Sequence, residues 1–150
     1  MREENRLLFG YDEEIAKWVA ERTVDGPSSF GKCASIGVLN PAGDRMLAGM
    51  VYSQYKPEYS TIQASIASVS PLWATRGTIR ALLHYPFMQL GCYKVWACVN
   101  IKNTRCCKCL EHIGFKREAT LAHHLGQGNH ALIYRLLKPD YVRLFLDGQG

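Results

Sequence analysis

The sequence predicts a mixed α/β domain: a twisted, mainly antiparallel sheet with helices over its faces. Three observations predict it. Between residues 34 and 69, short runs rich in apolar and small residues are separated by clusters of turn formers. From about Thr75 the apolar period lengthens to that of a helix, and a second strand-to-helix passage follows before a closing hairpin. An antiparallel meander followed by strand–helix–strand–helix folds as a mixed sheet covered by helices.

Each element has its own signal. Tyr11, Ile15, Trp18 and Val19 fall at i, i+4, i+7 and i+8, which predicts a helix over 11–23, and Asp12 and Glu13 suit the positive end of its dipole. Asp-Gly-Pro-Ser-Ser at 25–29 is a loop. Ala34 to Leu39 and Met46 to Gln54 are strands joined by the turn-forming string Asn40-Pro-Ala-Gly-Asp44, and Lys56-Pro-Glu-Tyr59 makes a second turn. Thr61 to Val69 is a third strand, with Ile62, Ala64 and Ile66 alternating against polar neighbours.

A helix follows from about Thr75, with Ile79, Leu82, Leu83, Pro86, Phe87 and Leu90 on one face and Gly91 as its stop. Pro86 removes a backbone donor, so the last turns should kink or shorten. Tyr93 to Asn100 alternates Val95, Ala97 and Val99 against Trp96 and Cys98. Asn103 suits the cap of a helix running to about His112 and ended by Gly114. Arms at 115–122 and 130–137 close a hairpin around Gly126-Gln-Gly-Asn129.

At 150 residues, 47% of them hydrophobic and 21% charged, the chain suits one globular domain, 1–150. No apolar stretch approaches the roughly 20 residues of a membrane-spanning helix. The opening Met-Arg-Glu-Glu-Asn-Arg lacks the apolar core of a secretory signal, so a cytoplasmic protein with no membrane partner is expected. The net charge of +5 would help recruit an anionic ligand such as a nucleotide cofactor, and nucleic acid more weakly. Lys and Arg are scattered, without the run that marks a nucleic-acid stripe.

The six cysteines are expected to be free thiols. Cys106, Cys109 and His112 form a C-x-x-C-x-x-H string, but no second pair completes a tetrahedral set, so no metal site is expected.

The chemistry lies between residues 69 and 115. A strand ends in a turn that opens directly into a helix with Gly77 in its first turn, where unpaired N–H groups attract phosphate. Val69, Pro71 and Gly77, followed by Arg80-Ala-Leu-Leu83, match the cofactor motif V-x-P-x-x-[RQ]-x-x-G-x-[GA] of one family. Val99, Asn103, Cys106 and Gly114-Phe115 match its later motif. On these residues the chain resembles the GNAT superfamily of acyl-CoA-dependent N-acetyltransferases over about 30–138. The string Gly-Phe-Lys-Arg-Glu118 looks most like the branch holding ribosomal-protein N-terminal acetyltransferases and short bacterial and phage proteins. Ala74 stands where the motif has Arg or Gln, Ile79 where it has Gly or Ala, and Leu110 where many members carry a tyrosine general acid.

The resemblance implies a sheet of six to seven strands flanked by three to four helices. It also implies transfer of an acetyl group from acetyl-CoA to a primary amine, with coenzyme A as product. Cofactor contacts would come from Val69, Leu72, Trp73, Ala74, Thr75, Arg76, Gly77, Thr78, Asn103 and Cys106. Backbone N–H groups of 73–78 and the charge of Arg76 would meet the pyrophosphate. Ile79 would either crowd that turn or point into the core. Cys106 would protonate or stabilise the leaving thiolate, its unperturbed thiol being close to it in acidity, and Asn103 would contact the cofactor arm. Each has a plainer reading: Cys106 as packing in its helix, Asn103 as a helix cap, Arg76 as a solvated side chain.

Glu58, His84, His123 and His124 are candidate bases by chemistry alone, and Glu118 fits a surface carboxylate at a strand start. A protein N-terminus and a small polyamine are both open as the acceptor, and a homodimer is open too. Two competing readings remain. One is a degenerate relative that binds acyl-CoA or a protein partner without catalysis. The other is a small basic nucleic-acid-binding protein.

Overall fold

The computed structural model describes residues 3–23 and 29–147. Its order is β1 (Arg6–Leu8), α1 (Asp12–Arg22), β2 (Cys33–Leu39), β3 (Met46–Lys56), β4 (Thr61–Ser68), a 3-10 turn (Pro71–Trp73), α2 (Arg76–His84), a π turn (Tyr85–Gln89), β5 (Lys94–Asn100), α3 (Thr104–Ile113), β6 (Lys116–Leu121), β7 (Ala131–Leu137), α4 (Lys138–Tyr141) and a second π turn (Val142–Leu146). Among the described residues this gives a single sheet of seven strands, ordered β1-β2-β3-β4-β5-β7-β6. Every pairing is antiparallel except that of β4 with β5. The expected mixed, mainly antiparallel fold class holds.

Two apolar clusters cover the sheet. Ile15, Ala16 and Val19 of α1 pack with Val51 and Ala67. The larger cluster joins strand residues to Leu82, Leu83, Leu110, Ile113, Tyr141 and Phe145 of the later helices and turns. Strand β3 runs between both and is buried at every residue from Leu47 to Ser53. Gly49 lies at its centre because α1 crosses there: a Cβ on Gly49 would stand 2.7 Å from Val19 Cγ2 and 3.2 Å from Ile15 Cγ2.

Several boundaries differ from the sequence expectations. Strand β3 runs on to Lys56 through an irregularity after Ser53, where Gln54 takes a φ of 55°. Helix α2 stops at His84, short of Leu90, which is the shortening expected at Pro86. The cause is Pro86, which has no N–H to offer the Leu82 carbonyl four residues back. The buried Tyr52 hydroxyl takes that place, donating to Leu82 O at 2.7 Å. The chain then widens into the π turn, closed by Leu90 N–H to Tyr85 O at 3.0 Å, before Gly91 turns it at a φ of 71°. Tyr52→Phe therefore leaves a buried carbonyl without its donor and should lower unfolding free energy by about 1–3 kcal/mol in urea titration, with an unchanged m-value.

Two elements have no counterpart in the sequence expectations. Strand β1 is three residues long, too short to show a period. The terminal α4 and its π turn bury Tyr141 and Phe145, which stack at 5.7 Å between ring centroids. The loop expected at 25–29 falls, apart from Ser29, outside the described residues.

Candidate functional site

The site begins where the parallel pair ends. Strands β4 and β5 match at Thr61 with Lys94, Ile62 with Val95 and Gln63 with Trp96, and beyond that they part. Strand β4 stays paired to β3 as far as Ser68, while β5 stays paired to β7 as far as Asn100. Each is thus held by its outer neighbour while the inner edges diverge. The fork opens a cavity of about 690 Å³.

Residues 64–68 and 97–100 form the walls of this cavity, and Ile79, Leu82, Leu83, Leu110, Ile113 and Phe115 line its apolar side. Trp73, Ala74, Lys102, Asn103, Arg105 and Cys106 line it where β4 and β5 lead into their helices. Arg22, Thr23 and Phe30 line it from the α1 side. Among the described residues its charged lining groups are Arg22, Lys102 and Arg105, all cations.

Four of the expected residues meet in this cavity: Trp73, Ala74, Asn103 and Cys106. Val69, Leu72, Thr75, Arg76, Gly77 and Thr78 are outside its lining. Val69 and Leu72 are exposed, and the Val69 N–H returns to the Leu47 carbonyl at 2.9 Å. Thr75 caps α2, its hydroxyl accepting from the Thr78 N–H at 3.2 Å, while Thr78 itself is buried.

Arg76 turns toward the C-terminal turn. Its Nη2 donates to Leu144 O at 2.7 Å and its guanidinium lies 5.5 Å from the Phe145 ring centre. Arg76 is thus exposed, as in the plain reading of a solvated helix-end arginine, with its tip bonded to the C-terminal turn. Ile79 points into the core, 5% exposed, and so does not plug the turn.

Asn103 is the α3 cap, its Oδ1 accepting from the Cys106 N–H at 3.2 Å. Cys106 is partly buried in the first turn of α3. Burial, with Cys109 and Cys107 nearby, pushes its thiol up to about 12. The expectation of an unperturbed thiol is therefore corrected: full proton transfer to a departing thiolate of ordinary acidity is uphill, although the S–H can still donate a hydrogen bond.

Burial likewise raises Cys98 and Cys109, which line the same cavity, with Arg105 partly offsetting the shift at Cys109. An acid raised in the folded state keeps its proton there after the unfolded chain has lost it. Stability should thus be full below the ordinary thiol range and fall as pH rises from about 9 toward about 12. Denaturation midpoints across that window should decline, and less steeply in Cys106→Ala.

Other candidates lie elsewhere. Glu58, His84, His123 and His124 do not line the cavity. His123 and His130 instead shape the last hairpin, each Nδ1 accepting a backbone N–H, from Gly128 at 2.8 Å and from His123 at 2.9 Å. Glu118 is bound by Lys94 at 2.9 Å and faces Arg135 at 3.7 Å. Cys106 and Cys109 of the C-x-x-C-x-x-H string both line the cavity, whereas His112 is exposed and lies outside that lining. Among the described residues no group of three His, Cys, Asp or Glu side chains converges as metal ligands.

Sequence reasoning missed Asn100, a buried polar residue ending β5. It lines the cavity, accepts from Lys102 N–H at 2.9 Å and donates to Asn129 Oδ1 at 3.3 Å. Its place at a strand terminus beside the conspicuous Asn103 was the available signal.

The chain is similar in structure to a dodecameric spermidine N-acetyltransferase from Vibrio cholerae, with a TM-score of 0.73 and 14% identity over 93% of this chain and 96% of that one. It is also similar to a candidate acetyltransferase from T. thermophilus, with a TM-score of 0.67 and 15% identity over 94% and 89%. Another candidate acetyltransferase gives a TM-score of 0.68 and 18% identity over 92% and 85%. No protein-family model matches the chain, and no curated protein matches it in sequence. The chain therefore has the fold of these acetyltransferases, as the GNAT resemblance implied.

Proposed function

We propose that the protein is an acyl-CoA-dependent N-acetyltransferase that moves an acetyl group from acetyl-CoA to a primary amine by direct transfer. The observation that carries this reading is the fork between β4 and β5, which opens onto Asn103 and Cys106 and leads toward the α2 turn. The inner edge of β4 offers N–H and C=O groups to the amides of a pantetheine arm, much as a further strand would pair there. The N–H groups of Arg76 and Gly77 at the start of α2 would meet the diphosphate, that of Thr78 being taken by the Thr75 cap. The neutral amine attacks the thioester carbonyl, the carbon–sulfur bond breaks, and the amine's proton leaves through water. The Cys106 S–H stabilises the departing sulfur by a hydrogen bond, and Asn103 fixes the turn that presents it.

An acceptor that is a protein N-terminus or a small polyamine fits this chemistry. The Gly-Phe-Lys-Arg-Glu118 string favours the first, and the spermidine enzyme among the structural neighbours favours the second. No helix among the described residues is long and apolar enough to cross a membrane.

The test is thiol release from acetyl-CoA over a panel of an N-terminal peptide, lysine and spermidine. Release dependent on one amine is expected. Failure to bind acetyl-CoA at high micromolar concentration would sink the reading, and binding without release would favour the non-catalytic relative. Cys106→Ala should lower kcat about fivefold through loss of one weak hydrogen bond, with KM for acetyl-CoA unchanged. Because the thiol stays protonated to about 12, the pH–rate profile below pH 10 should keep its shape in the variant.

A further inference from the structure

The turn assigned to the donor's diphosphate already has an anion beside it. The segment leading into β1 crosses this turn, and Asn5 Nδ2 fastens it there, lying 3.0 Å from Leu72 O, 3.3 Å from Trp73 O and 3.2 Å from Thr78 Oγ1. That anchor brings the Glu4 carboxylate over Gly77, in the first turn of the nine-residue α2. A Cβ built on Gly77 would stand 3.1 Å from Glu4 Oε2 and 3.4 Å from Oε1, and Thr75 Oγ1 lies 3.5 Å from Oε2. The space that a glycine leaves for an incoming phosphate is thus bordered by a carboxylate of the same chain.

The surrounding charges favour that arrangement. A carboxylate at a helix N-terminus is stabilised by the same partial positive charge that attracts phosphate. Neither of the two positions at this turn that would carry a cation tips the balance toward phosphate. Ala74 has no charge, and Arg76 is held by Leu144 O and Phe145.

We propose that Glu4 determines donor specificity: its carboxylate occupies the diphosphate position at the α2 turn, and a phosphate-bearing acyl donor must displace it. The inference rests on the transferase reading above. Glu4 weakens donors through their phosphates alone, so a thioester that lacks phosphates and uses only the fork is indifferent to it. Because the contact is a side chain on a short lead-in segment, displacement needs no movement of the sheet.

The experiment measures binding of acetyl-CoA and of S-acetyl-pantetheine, which has no phosphate, to the full chain and to Glu4→Gln. Glutamine keeps the shape and hydrogen-bonding reach of the side chain and removes its charge. Acetyl-CoA should bind Glu4→Gln about three- to fivefold more tightly than the unaltered chain. S-acetyl-pantetheine should bind both equally, and the gap for acetyl-CoA should narrow at high salt. Equal acetyl-CoA affinity in the two proteins, or the same change for both ligands, overturns the role of Glu4 and leaves the transferase reading standing. No acetyl-CoA binding by either protein, with melting curves intact, overturns both.

Discussion

Replacing Cys106 by Trp is expected to weaken acetyl-CoA binding about 100-fold, close to 2.7 kcal/mol, while the protein still folds. Cys106 is partly exposed, stands in the first turn of α3 and lines the fork. An indole there projects into the space that the pantetheine arm needs, whereas the helix cap made by Asn103 uses the backbone N–H of residue 106 and is untouched. Calorimetric titration with acetyl-CoA measures the loss, and a melting temperature within about 3 °C of the unaltered protein shows that the effect is local. Undiminished affinity in this variant would remove the fork from the binding site.

Gly49→Val should destabilise the fold by about 3 kcal/mol, read from urea denaturation. The argument is steric. Even a single added carbon would lie 2.7 Å from Val19 Cγ2, and both residues belong to packed backbone elements that cannot yield independently. Valine adds two further carbons at the same crossing, so α1 must lift from β3 and expose the cluster of Ile15, Val19 and Val51. Val19→Ala removes the clashing methyl and should recover part of the loss, a non-additive pair because the two sites touch. If Gly49→Val alone left stability unchanged, the close approach of α1 would be wrong.

Much of the fold was legible because long elements carry a period. The strands at 46–56 and 94–100 and the helix at 104–113 were placed within a residue or two. The caps were legible as well, since Asn103 and Gly114 occupy positions that few other residues fill as well. What escaped was tertiary in origin. Pro86 marked the shortening of α2, but the Tyr52 hydroxyl that replaces its missing donor is a partnership across 30 positions. The site was legible only as a region. The motif located the turn and the start of α3, but the capture of Arg76 by Leu144 and the arrival of Glu4 over Gly77 depend on both ends of the chain. The acidity of Cys106 was likewise set by burial, which spacing does not reveal.

The lone parallel junction has a mechanical consequence. With three residue pairs joining β4 to β5, the sheet is two antiparallel halves sharing a short seam. Each half is stitched by many more rungs than the seam, so thermal opening should begin at the seam, while the apolar cluster shared by both halves keeps them together. A ligand threaded along the fork would act as a suture, making the protein stiffer when loaded than when empty.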